Sequence, residues 1–235
     1  MEDIDAIAAL QDPVRRRLYE YVAAQGREVG RNEAAEAAGV ARTLAAHHLD
    51  RLTDAGLLDR GSRRLTGRSG PGAGRPAKVY TRARTERAVS LPARDYRTAA
   101  ELLAEAAEEA GLDAGLCAAA RRRGETLRRS GAPCGDLTEV AEVLAARGYE
   151  PYREAADGAP VADGAVGGGG ADGGAGVAPH VVRMRNCPFH AVAERFPPLV
   201  CGMNLALLEG LLGEDGPVRA RMDPRPGECC VVVEL

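Results

Sequence analysis

Five side chains in the C-terminal part of the chain are of the kinds that ligate metals. Cys187 and His190 stand in Asn186-Cys187-Pro188-Phe189-His190, Cys201 follows Pro197-Pro198, and Cys229-Cys230 precede a run of valines. A C-x-x-H pair can reach one metal ion from a single turn. Pro197-Pro198 predicts a helix start, where the positive end of the helix dipole favours a Cys201 thiolate. Cys229 and Cys230 open an expected strand. Neighbours in a strand face opposite sides, so one of the two is expected at any one site. Three thiolates and one imidazole satisfy tetrahedral zinc or ligate an iron–sulfur cluster. The alternative is that these cysteines are small buried hydrophobes. Cys117 lies among alanines as an inert core residue, and Cys134 has no evident partner.

The elements that must hold these groups are readable in outline. Leu205, Leu208 and Leu212 recur at helical spacing after Cys201. Tyr149–Ala155 and Pro179–Arg185 both alternate like strands. The Gly-rich segment between them, 156–176, has too few apolar residues to order itself, so it reads as a disordered insertion in a hairpin. A helix is expected over Leu137–Arg147. Earlier, Asp95–Ala110 is strongly amphipathic, with Tyr96, Ala99, Leu102, Leu103 and Ala106 on one face, and a further helix covers Ala114–Arg129. The expected organisation is α+β: residues 1–90, a helical linker or dimerisation segment over 91–135, and an α+β domain with a small sheet over 136–235.

The amino-terminal part carries a different pattern. Asp12-Pro13 starts a helix and Gly26 ends it. Asn32 is the expected N-cap of a short helix over Glu33–Ala38, Gly39 supplies a turn, and Val40 plugs the corner. The next helix runs from Arg42 to Ala55, with Ala45, Leu49 and Leu52 inward. Arg42, Thr43, Ala46, His47 and Asp50 fall on its outer face, and Arg51 follows them. Leu57–Arg60 and Ala77–Tyr80 read as two strands around a turn-rich basic loop. From Arg60 to Arg87 there are nine basic residues and one acidic residue in a chain of net charge −3. Such a local basic stripe suits phosphate contact. Arg63, Arg64, Arg68, Arg75 and Lys78 are its candidate contacts. His47-His48 is not read as a metal pair, because adjacent helical residues point in different directions.

At 235 residues with only two Phe and no Trp, the core must be built from Ala, Leu and Val. No stretch reaches the roughly 18 to 20 apolar residues a membrane helix needs. The acidic start, Met1–Leu10, lacks the basic region of a secretory signal. Reduced cysteines and a cytoplasmic location, with no membrane partner, are therefore expected.

Residues 10–85 resemble the winged helix-turn-helix of ArsR/MarR-like regulators. The resemblance rests on Leu44–Leu58 (LAAHHLDRLTDAGLL) and on Gly74–Tyr80 (GRPAKVY). Ala41 departs from it, since many relatives place a Ser or Thr cap there. The second half resembles the sensory domain of SufR-type iron–sulfur-sensing regulators, on Cys187, Cys201 and one of Cys229/Cys230. It departs between Cys201 and Cys229, where a further cysteine is expected. The resemblance implies a homodimeric transcription regulator of double-stranded DNA, most simply a repressor, with an iron–sulfur cluster, a zinc ion or no metal at the cysteines. A regulator controlled by an organic ligand or protein partner is the alternative. A thiol redox enzyme is disfavoured because the chain has no C-x-x-C motif, nucleophile elbow or paired carboxylates.

Overall fold

The computed structural model describes residues 2–63, 76–128, 133–155, 160–161, 181–213 and 215–235. The protein is α+β, with two antiparallel sheets, and divides into two units, Met1–Arg94 and Asp95–Leu235. Among the described residues no helix is long and apolar enough to cross a membrane.

The first unit opens with α1 (Glu2–Ala8) and a 3-10 turn. Helix α2 (Pro13–Gln25) starts where its cap dictates: the Asp12 carboxylate accepts from the Val14 and Arg15 amides at 2.9 and 3.0 Å. Gly26, at φ 61°, closes it. A two-residue strand, β1 (Val29–Gly30), then leads directly into α3 (Arg31–Ala38). The cap of α3 is therefore Gly30 and not the expected Asn32, because pairing of β1 pulls the helix start forward. Gly39, at φ 64°, turns the chain into α4 (Arg42–Asp54), whose N-cap Ala41 makes no side-chain cap bond. Strands β2 (Leu58–Arg63) and β3 (Ala77–Arg82) pair from Leu58↔Arg82 to Arg63↔Ala77, and β1 adds to β3 for the order β1-β3-β2. Leu18, Val22, Val29, Ala45, Leu49, Leu52, Leu58 and the ring of Tyr80 form the core.

The second unit begins with α5 (Tyr96–Glu109) and α6 (Asp113–Leu127), so the segment expected as a separate linker supplies two helices to this unit. Helix α7 (Leu137–Ala145) follows, capped by Asp136. Strands β4 (Pro151–Glu154), β5 (Pro160–Val161), β6 (Val181–Met184), β7 (Arg219–Met222) and β8 (Val231–Glu234) form one sheet in the order β5-β4-β6-β8-β7. The hairpin expected around the Gly-rich insertion is the β4–β6 pair, in register Pro151↔Met184 to Glu154↔Val181. Apart from Pro160 and Val161, the insertion 156–176 lies outside the described residues. Between β6 and β7 come α8 (His190–Ala193) and α9 (Pro197–Leu212).

Helix α9 is apolar nearly all round, which is the pattern of a helix covered on more than one side. Its Leu208, Leu211 and Leu212 join Val182, Met184, Val231 and Val233 of the sheet in one core. Helix α6 crosses it at two glycines. A Cβ on Gly124 would stand 2.6 Å from the Leu211 amide nitrogen, and one on Gly210 would stand 2.9 Å from the Arg121 carbonyl carbon. Both clashes are with backbone, which cannot give way. The face of α5 that packs inward, with Ala104 and Ala107, is not the leucine-bearing face expected from the sequence. Leu102 and Leu103 point outward, Leu103 with 73% of its surface exposed.

Gly124→Ala and Gly210→Ala should each destabilise the second unit by about 2–3 kcal/mol, since overpacking here cannot relax into side-chain movement. Gly115→Ala, on the same α6 but with open space around it, should be neutral or slightly stabilising. Chemical denaturation of the three variants distinguishes close backbone packing from a general intolerance of α6.

Candidate functional site

Two groups of side chains stand out, one in each unit. In the first, the outer face of α4 presents Arg42, Thr43, His47 and Arg51 as exposed residues, with Ala46 half-buried beside them. Asp50 lies on the same helix but is engaged by the protein itself. Its carboxylate accepts from the Tyr80 hydroxyl at 2.9 Å, from Arg31 at 2.9 and 3.1 Å, and from Lys78 at 3.3 Å, with Arg60 at 3.9 Å. Burial alone would raise this carboxyl. The Tyr80 hydrogen bond and the Arg31 and Lys78 charges outweigh it and hold Asp50 below the ordinary carboxylate range. Asp50 and Lys78, expected as outward contacts, thus join helix α4 to the β2–β3 hairpin. Arg63 is exposed and pairs with Glu28 at 3.2 Å. Arg64, Arg68 and Arg75 lie outside the described residues.

Sequence reasoning missed Leu44, which is 42% exposed on α4, and the roles of Arg31 and Tyr80. Arg31 also donates to the Tyr80 hydroxyl at 2.9 Å. The only sequence signal for this network is a tyrosine in a basic strand opposite an acidic residue on a basic helix. His48 is buried, and burial pushes its imidazole below the usual value, as suits a packing residue.

In the second unit four of the cysteines converge from three segments. Cys201 donates to Cys230 with their sulfurs 3.1 Å apart. Cys229 donates to Cys187, and the Asn204 side-chain amide donates to the Cys229 sulfur at 3.4 Å. The bond from Cys229 outweighs burial and, with the Phe189 amide, lowers the Cys187 thiol. The same bond and burial push Cys229 far up. Cys201, expected as a thiolate favoured by the helix dipole, is instead pushed up to about 12 by burial and by its bond to Cys230. It is the fifth residue of α9, a full turn beyond the helix start, where the dipole has faded.

Cys229 and Cys230 were expected on opposite faces of a strand. Both precede β8, in a turn, and both reach the cluster. The turn is held by backbone bonds from Cys229 to Met184 (2.9 Å) and from Asp223 to Cys230 (2.8 Å). A buried ion network fixes it further. Arg183, 2% exposed, donates to Glu154 at 2.6 Å and also pairs with Asp223, while Arg225 pairs with Glu154 at 2.6 Å. Asn204 is itself held by the buried Tyr149 hydroxyl at 2.5 Å. A polar residue three positions after Cys201 in a helix that is apolar apart from Glu209 was the one available signal for it.

His190 does not join the thiols. It is the first residue of α8, 62% exposed, and pairs with Glu194 one turn on at 3.1 Å. No family model matches the chain, and neither a curated protein nor a solved structure matches it significantly. Among the described residues no group of three or more His, Cys, Asp or Glu side chains is arranged to hold a metal ion. Four soft sulfur donors nonetheless make the donor set that zinc and iron–sulfur clusters take. Tetrahedral Zn–S bonds of about 2.3 Å would place the sulfurs about 3.8 Å apart. Cys201 and Cys230 would have to separate from their present contact.

Tyr80→Phe removes one donor to Asp50 and leaves the ring in the core. Amide exchange in β2 and β3 should accelerate about tenfold, as for loss of a hydrogen bond to a charged group. Exchange in α2 should stay unchanged. Equal protection in wild type and variant would show that Asp50 does not anchor the hairpin.

Proposed function

We propose that the chain is a DNA-binding transcription regulator with an N-terminal winged helix-turn-helix and a C-terminal thiol-based sensor, acting as a homodimer on a pseudo-palindromic operator. The observation that carries this reading is the Asp50 network. It docks a hairpin of basic residues against the very helix whose outer face offers Arg42, Thr43, His47 and Arg51. In this reading α4 enters the major groove, where Arg reads guanine edges and Leu44 can meet a thymine methyl. The hairpin arginines Arg60 and Arg63 contact phosphates or a narrow minor groove.

The sensing element is Cys187, Cys201, Cys229 and Cys230. These residues would hold the metal or cluster, with Asn204 orienting the Cys229 sulfur. A thiolate-held iron–sulfur cluster supplies sensitivity to oxidants and to iron supply, and zinc would supply a redox-inert clamp. Either ligand regulates only if it favours one conformation of the chain over another.

Binding to mixed-sequence duplex DNA, followed across salt concentration, tests the first part. Wild-type affinity should fall steeply with salt. Arg42→Ala and Arg51→Ala should each weaken binding and reduce the slope of log K against log salt by about one. No binding at low salt, or unchanged slopes in both variants, would falsify the DNA-binding reading. For the sensor, anaerobically purified protein should carry stoichiometric iron with sulfide, or zinc, and Cys201→Ser should lose it. Wild-type chains free of both would remove the metal from the proposal.

A further inference from the structure

The two sulfur pairs of the thiol cluster are not equivalent. Cys229 is buried, and its sulfur is already held by Asn204 and Cys187. Cys201 and Cys230 have each other, at 3.1 Å, and Cys230 is only partly buried, so small oxidants can reach it. A disulfide bond is about 2.05 Å long, so the two sulfurs need to close by about 1 Å. They come from different segments, α9 and the turn before β8, so a bond between them links two elements rather than two neighbours in the chain. A bond between the adjacent Cys229 and Cys230 would instead have to distort the peptide that joins them.

We propose that Cys201 and Cys230 are an oxidative modification site, a dithiol that a hydroperoxide converts to a reversible disulfide. The regulatory consequence rests on the cluster being the sensing centre proposed above, whereas the chemistry does not. Cys230, after giving its proton to solvent, attacks the near oxygen of the peroxide. An S–O bond forms, the O–O bond breaks, and the departing oxygen takes a proton to leave as water or an alcohol. The Cys201 sulfur then attacks the Cys230 sulfenic acid. The S–S bond forms, the S–O bond breaks, and hydroxide leaves as water with the Cys201 proton. Two electrons pass from the pair to the peroxide, and a dithiol reductant returns them. Two of the four sulfurs are then unable to ligate a metal. The oxidised centre is closed to the ligand that the reduced centre would accept.

The test uses the full-length chain, reduced and freed of metal with a chelator, then treated with stoichiometric hydrogen peroxide. Two of its six thiols should disappear in a denaturing thiol count. Peptide mapping should join the peptide carrying Cys201 to the one carrying Cys230, and a dithiol should restore both. Cys229→Ser should form the same link, which separates Cys230 from its neighbour on the same peptide. Cys201→Ser should lose the link and instead accumulate oxidised Cys230. A first link between Cys187 and Cys229, a link between two chains, or Cys230 carried to sulfinic acid in wild-type protein would overturn the proposal. None of these readouts involves DNA or metal, so failure of the regulator reading and failure of the dithiol would be seen separately.

Discussion

Helices α6 and α9 meet backbone to backbone at Gly124 and Gly210, and the second unit is organised around that crossing. No side chain separates the two helices there, so α9 sits deep enough to be covered by α6 on one side and by the sheet on the other. Burial on several sides explains why α9 is apolar almost throughout. It also explains why its two unusual positions, Cys201 and Asn204, are held so tightly. A polar or reactive group on a helix packed in this way has no solvent to turn towards and must find its partners inside.

Those partners arrive on a turn that is itself anchored from below. Arg183 is buried with Glu154, and the same two residues capture Asp223 and Arg225 at the near end of the Cys229-Cys230 turn. Buried ion pairs contribute little net stability against a well-packed apolar alternative, but breaking one partner is costly. Here the network determines where a chain reversal runs. The thiol cluster is thus positioned by two unlike devices, a glycine contact that sets the depth of α9 and an ion network that sets the path of the turn.

Local signals in the sequence carried the first unit far. Asp12-Pro13, Gly26 and Gly39 act within one helical turn, so a cap or a left-handed glycine is visible without knowing what lies across the core. Strands β1 and β7 were not legible, because a two-residue strand and an arginine-rich edge strand have no pattern of their own and exist only through pairing. The leucine face of α5 misled for a related reason. Periodicity finds an apolar face but does not say which face the neighbours take, and the alanine face packed first. At the cysteines, residue types and spacing singled out Cys187, Cys201 and the Cys229-Cys230 pair, with only one of that pair expected beside His190. The geometry differed: the strand expected to open at Cys229 begins two residues later, at Val231, and His190 was given to the thiols when it pairs with Glu194. Asp50 shows the same limit, since its outward helical position was correct and its attachment to Tyr80 and Lys78 depends on a hairpin nearly thirty residues away.

On α4, the residues that hold and the residues that face outward are different residues. Asp50, His48, Leu49 and Leu52 attach the helix to its surroundings, while Arg42, Thr43 and His47 are exposed. Substitutions at exposed positions usually change stability by no more than about 0.5 kcal/mol. The outer surface of α4 can therefore drift under selection without loosening the helix, and a lineage of such chains can vary the chemistry it displays there while the scaffold beneath stays unaltered.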